Sequence, residues 1–242
     1  MSTVKPLALV CSVELEAEPV RAVLQAIESR AYGGKPAWRG DLDGHPALVL
    51  TAGMGKTNAA HALTALIERE DVRGVIGFGI GGAYVGSGLG VGDIAIATQE
   101  VYGDEGVETP TGWISTEGIG IPLLPRSGAP CFNHFPLDSG WAAATAAALR
   151  RAGFHALAGP FVTVSTCSGT TERGSQLATR FDAICETMEG AAYAHVAAIY
   201  DLPYIEVRGI SNLVTDRDLG GWRLRDAAEA AAHAVRFASR EI

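Results

Sequence analysis

Four short apolar runs constrain this chain most: residues 6–11, 72–78, 156–164 and 203–208. The first two are hydrophobic with little alternation, as expected of buried strands, and the last two also read as strands. Between and after them lie stretches with helical spacing, at 137–153, 171–180 and 222–236. Buried strands alternating with helices specify an α/β fold. Open α/β sheets hold their ligands outside the carboxyl ends of the strands. The residues that follow each run are therefore the ones to read for function.

Those residues are polar or glycine-rich. The first run is followed by Glu14, Glu16 and Glu18, on a helix expected to continue through Val20, Val23, Leu24 and Ile27. The second ends in Gly77-Phe78-Gly79-Ile80-Gly81-Gly82, the third in Ser165-Thr166-Cys167-Ser168-Gly169-Thr170, and the fourth in Gly209-Ile210-Ser211-Asn212. A shorter run at 181–185 leads into Glu186-Thr187-Met188-Glu189-Gly190 and then a small-residue helix. For Glu189 the spacing leaves two readings open, an acid complementing a helix dipole or a ligand group at a strand end; Glu186 keeps the first. Three carboxylates within residues 14–18 exceed what a helix start needs. Crowding of like charges raises a carboxyl pKa, as a general base working near neutrality requires.

Two glycine motifs invite nucleotide readings, and both fail. Gly55-Lys56-Thr57 resembles the end of a P-loop, but the required glycine five residues before Gly55 is Leu50. The 77–82 run matches G-x-G-x-x-G, yet no helical pattern follows it. Gly79, Gly81 and Gly82 instead read as a floor that lets backbone approach a ligand. Gly53 to Gly55 read as a turn presenting N–H groups and a helix N-terminus to a polar group. Asp43-Gly44 between two alternating stretches predicts a hairpin. Residues 102–135 show no clean periodicity and hold several aromatics, which marks a functional loop.

Composition removes several function classes. Forty-eight per cent of the 242 residues are hydrophobic, enough for a sizeable core. A net charge of −8 with no basic stripe argues against nucleic acid or an anionic membrane as partner. Four cysteines, at 11, 131, 167 and 185, fit neither a redox pair nor a zinc site. The six histidines are scattered, so no metal, no cofactor and no histidine-based triad is expected. No signal-peptide pattern or membrane-length apolar run stands in the sequence, and the cytoplasm is the expected compartment.

What remains is two carboxylates, one amide and several hydroxyls at neighbouring strand ends. An amide with hydroxyls suits a heterocycle bearing amide-like edges. One carboxylate can hold a vicinal diol while another takes a proton from water. The set suggests cleavage of a glycosidic C–N bond through an oxocarbenium-like state, by analogy with sugar hydrolysis.

Jointly, Val13-Glu14-Leu15-Glu16, Ala52-Gly53-Met54-Gly55-Lys56, Gly81-Gly82 with Val91-Gly92-Asp93-Ile94, Met188-Glu189-Gly190-Ala191-Ala192 and Arg208-Gly209-Ile210-Ser211 resemble the purine nucleoside phosphorylase/nucleosidase superfamily, and most closely its methylthioadenosine/adenosylhomocysteine nucleosidase branch. The resemblance implies one domain over residues 1–242, a mixed central sheet flanked by helices, and a homodimer or higher homo-oligomer acting on a nucleoside and water. It also implies roles: Glu16 activates the water, Glu189 binds the ribose hydroxyls, Met188 packs on the sugar, and Thr170, with Ser168 and Gly169, meets the base edge. Asn212 stands where adenine-releasing members carry an aspartate. An amide can donate to O6 of a 6-oxopurine while its carbonyl accepts from N7–H, so Asn212 points to hypoxanthine or guanine.

The stretches at 102–108, 165–170 and 208–212 further resemble the futalosine hydrolases of the same superfamily. That resemblance makes the 102–135 aromatics either a wall for a substituent at the ribose 5′ end or a subunit interface. Phosphorylases of the superfamily surround phosphate with arginine; here the first strand end is acidic, which favours water. The alternatives are a methylthioadenosine/adenosylhomocysteine nucleosidase, a purine nucleoside phosphorylase, and a nucleoside-binding relative without activity.

Overall fold

The computed structural model describes residues 4–126 and 128–241. In chain order the elements are β1 (Leu7–Cys11), α1 (Glu14–Arg21), β2 (Gln25–Tyr32), β3 (Lys35–Leu42), β4 (His45–Thr51), α2 (Lys56–Ile67), β5 (Gly74–Tyr84) and β6 (Ile94–Tyr102). Then come β7 (Gly106–Thr109), β8 (Gly112–Ser115), α3 (Thr116–Ile119), β9 (His134–Pro136), α4 (Ser139–Arg151) and β10 (Ala156–Thr163). The chain continues with α5 (Thr171–Phe181), β11 (Cys185–Thr187), α6 (Gly190–Ile199), β12 (Tyr204–Val214) and α7 (Leu224–Ala238).

The main sheet runs β11-β10-β6-β12-β5-β1-β4-β3-β2, with β9 on β6. It is mixed: β1 is parallel to β4 and β5, and β12 is parallel to β5 but antiparallel to β6. β11 also pairs with β5, antiparallel. That second pairing closes β5, β12, β6, β10 and β11 into a ring, so this half of the sheet curls like a small barrel. Helices α1, α4 and α7 pack on one face through Ala17, Val20, Trp141, Leu149 and Val235. Helices α2 and α6 cover the other through Ala59, Leu63, Tyr193 and Ala194.

Several expectations shift. The first helix stops at Arg21, and Ile27 lies on β2 instead. Residues 25–32 pair with β3 instead, so the helical stretch ends before them. The glycine run and Asn212 lie inside long strands, not beyond their ends: β5 continues to Tyr84 and β12 to Val214. The 102–135 region holds the β7–β8 hairpin and α3 rather than one irregular loop. The Asp43-Gly44 hairpin forms as expected, with both residues at positive φ (55° and 90°).

Candidate active site

A cleft of about 290 Å³ opens where β1, β5, β11 and β12 end or bend. Glu16, Glu189 and Arg208 form its buried base, with Met54, Met188, Gly81, Gly82 and Asn212 around them. An adjoining chamber of about 250 Å³ shares Asn212, Arg217 and Trp222 with it.

Glu16 sits in the first turn of α1 and is 2% exposed. Its Oε2 accepts the Ser12 and Val13 N–H groups at 2.8 and 3.1 Å, and its Oε1 accepts the Ile80 N–H at 2.8 Å. Burial pushes its pKa above the usual carboxyl value, against the pull of Arg208 and those three N–H groups. Gly79 makes this geometry possible, because a Cβ there would collide with Glu16 Oε1 and stand 2.7 Å from Arg208 Nη1.

Glu189 is the N-cap residue of α6, but its side chain caps nothing. Its Oε1 accepts the Gly55 N–H at 2.8 Å. The glycine turn before α2 therefore presents its N–H to a carboxylate of the cleft. The Glu189 carboxylate thus reaches across the sheet end to the start of α2 and does not cap its own helix.

Arg208 lies between the two glutamates and is 1% exposed. Nη1 is 3.8 Å from Glu16 and Nη2 is 3.7 Å from Glu189. Nε donates to Glu206 at 2.6 Å and Nη1 to the Ile80 carbonyl at 3.1 Å. Burial opposes its charge, but Glu206, Glu189 and Glu16 outweigh that and hold its pKa well above the ordinary value.

A bulge between Ile210 and Asn212 re-aims the end of β12. Ser211 Oγ donates to Asn212 Oδ1 at 2.8 Å, and Asn212 Nδ2 donates to the Leu213 carbonyl at 3.0 Å. Each amide atom keeps one further hydrogen-bonding position, a donor on Nδ2 and an acceptor on Oδ1. Across the cleft, Glu186 accepts from Ser168 N and Oγ (2.8 and 2.6 Å) and from Tyr84 Oη at 3.1 Å. The fold thus assembles two buried carboxylates, of Glu16 and Glu189, a buried cation and an amide around one space.

A family model described as the phosphorylase superfamily matches residues 6–242. The chain belongs to the phosphorylase superfamily. Futalosine hydrolase of Thermus thermophilus is 36% identical over 87% of this chain and 90% of the relative. The 5'-methylthioadenosine/S-adenosylhomocysteine nucleosidase of Geobacillus kaustophilus is 28% identical over 85% and 83%. A solved structure of the Neisseria meningitidis nucleosidase of the latter name superposes with a TM-score of 0.85 at 24% identity, covering 99% of this chain and 100% of the other.

Within this phosphorylase-superfamily cleft the structure brings together Glu16, Glu189, Met188, Gly81, Gly82 and Asn212. Gly79 lies beneath, against Glu16 and Arg208. Ser168 lines the adjoining chamber. Thr170 does not line either space; it is exposed, and its hydroxyl caps α5 by accepting Arg173 N–H at 3.2 Å. Gly169 spends its carbonyl on the Arg217 N–H at 3.1 Å. Nor does any described residue of 102–135 line the cleft: Tyr102 packs on Phe135, and Trp113 on Phe181. Glu186 departs from its expected role as a dipole-friendly acid. It lies on β11, lines the cleft and anchors the Ser168 loop.

Sequence reasoning passed over Arg208, Arg217 and Trp222. The signal for Arg208 was present: Glu206 and Arg208 stand two apart in an otherwise apolar run, so they share one face of a buried strand. Unlike charges in that position announce a buried ion pair. Arg217 carried no periodic signal, and Trp222, expected to open the last helix, lies before it; the two meet with the guanidinium 5.0 Å from the indole ring centre.

Proposed function

We propose that this cleft hydrolyses the N-glycosidic bond of a 5′-modified 6-oxopurine nucleoside, with futalosine as substrate and hypoxanthine and dehypoxanthine futalosine as products, a step of menaquinone formation by the futalosine route. The observation that carries it is an amide, Asn212, in the place beside Glu16 and Glu189 where the base must sit. The similarity to the Thermus enzyme supports it.

In this reading Glu16 takes a proton from water as its oxygen attacks C1′. The C1′–N9 electron pair leaves with the purine. Glu189 accepts the ribose hydroxyls and Met188 packs on the sugar. An amide cannot protonate N7, so that proton comes from solvent; Asn212 Oδ1 then accepts from N7–H while Nδ2 donates to O6. Ser168 lines the space beside Asn212 where the base edge is met, while the Thr170 hydroxyl is committed to its helix. Phosphate is not a co-substrate: three carboxylates, of Glu206, Glu189 and Glu16, stand 2.6, 3.7 and 3.8 Å from Arg208 at the cleft base. Four free cysteines suit a reducing cytoplasm. Exposed Val107, Ile114, Ile119 and Ile121 suit a homodimer face.

The methylthioadenosine/adenosylhomocysteine nucleosidase reading is favoured by the Geobacillus relative and opposed by Asn212. A panel decides between them: futalosine, inosine, methylthioadenosine and adenosylhomocysteine incubated without phosphate, with released bases separated by chromatography. Hypoxanthine from futalosine is expected; adenine release alone, or release only with added phosphate, overturns the proposal.

A further inference from the structure

Arg208 presents a contradiction. A buried guanidinium at the base of a cleft is a natural anion site, and its Nη2 has no hydrogen-bond partner among the described residues. The neighbouring glutamates at 3.7 and 3.8 Å lie beyond hydrogen-bond reach. Among the described carboxylates only Glu206 is hydrogen-bonded to it, at 2.6 Å, and Glu206 does not line the cleft.

Glu206 is itself held by two groups. Tyr204 Oη donates to its Oε2. Glu100 of β6 lies beside it, fully buried, and burial together with the Glu206 charge pushes the Glu100 carboxyl well above its ordinary pKa. Glu206 meets Arg208 Nε at 2.6 Å through Oε1, the oxygen that Tyr204 does not bind. Thr163 Oγ1 fixes Glu100 Oε2 at 3.2 Å. Gly190 roofs the pair: a Cβ on it would stand 2.5 Å from an oxygen of each carboxyl.

We propose that Glu206 is a positioning residue that takes up the charge of Arg208 from behind, so that the guanidinium spaces the two cleft glutamates without turning the cleft into an anion site. The proposal rests on the hydrolytic reading and adds to it how an arginine in that place is kept from recruiting phosphate. The charged and titratable groups around the pair are Glu16 of α1, Cys11 of β1, Glu100 of β6, Cys185 of β11, Glu189 and Tyr193 of α6, and Tyr204 of β12. Among them only Glu206 touches the guanidinium without also lining the cleft.

The test is Glu206→Gln combined with Glu100→Gln, so that the neighbouring carboxyl cannot ionise and replace the lost charge. Titration calorimetry with inorganic phosphate needs no turnover. Wild type is expected to give no binding at millimolar phosphate, and the double variant to bind at least ~10-fold more tightly. With the cleavable nucleoside, the acid limb of kcat/KM is expected to move down by about one pH unit, because an uncancelled Arg208 favours ionised Glu16. A merely structural role for Glu206 would lower the melting temperature and move neither readout. If the double variant does not fold, Glu206→Asp keeps the buried charge but withdraws it from Nε, and a partial change in phosphate binding is expected. Folded variants with unchanged phosphate binding and an unchanged acid limb overturn the proposal. A wild type that releases no base from any nucleoside overturns the hydrolytic reading instead, and the phosphate titration still decides this one.

Discussion

Glu16 illustrates how one carboxylate can be both fixed and reactive. Its two oxygens accept three backbone N–H groups, which hold its geometry, while burial raises its pKa. In the proposed reaction Glu16 must be ionised to take the proton, so its raised pKa is expected to set the acid limb of the rate profile above the ordinary glutamate value of 4.5. Activity is expected to be full above that limb and lost as pH falls through it; a limb at or below 4.5 would exclude Glu16 as the base. Glu16→Gln keeps the shape and removes the proton acceptor. We expect kcat to fall by about 10²–10⁴-fold with substrate affinity largely intact, as read by single-turnover kinetics and equilibrium binding. Asn212→Asp tests the other end of the reaction. The new carboxylate would face the Leu213 carbonyl that now accepts from Nδ2, so it becomes stable there when protonated, and a protonated acid can serve N7 of adenine. The kcat/KM ratio of inosine-type to adenosine-type substrates is expected to fall at least ~10-fold.

At the scale of elements, the site depends on how closely strands and helices approach. Gly209 of β12 is the tightest place: a Cβ there would run into the backbone of Ala227 on α7. Gly209→Ala must push α7 outward and tilt the strand that carries Arg208 and Asn212. A destabilisation of about 1–3 kcal/mol is expected from such overpacking, measured by urea unfolding, with a loss of activity larger than the stability loss alone explains. This dependence also explains what the sequence disclosed. The apolar runs located β1, β5, β10 and β12, because short apolar segments bounded by glycine and polar residues are the sequence pattern of inner strands. Glu16, Glu189 and Asn212 were legible because each follows such a run. Ile27 was misplaced because a strand and a helix of this short amphipathic stretch share their apolar positions, and the end of α1 is set by tertiary pairing of β2 with β3. Glu186 was misjudged because its partners, Tyr84 and Ser168, lie 102 and 18 residues away. No local pattern reports such distances.

At the scale of the whole molecule, the cleft is built on one half of a sheet whose other half must be held in register. Asp43, at the tip of the β3–β4 hairpin, accepts from Arg236 Nε and Nη2 at 2.8 and 2.9 Å, and from Arg240 at 2.7 Å. This clamp ties the hairpin to the last turns of α7, the helix that also packs on β12 beneath the site. The hydrogen bond from Arg236 is the main cause that lowers the Asp43 pKa below its ordinary 3.8. A carboxylate with a lowered folded pKa stabilises the fold fully above its unfolded pKa, and that stabilisation disappears as pH falls through the folded value. The pair is partly solvated, which limits its worth to about 1 kcal/mol or less. Asp43→Asn is therefore expected to lower the melting temperature by a few degrees at pH 7 and by nothing measurable near pH 2. A difference that persists at acid pH would show that Asp43 acts through turn geometry, at its positive φ, and not through its charge.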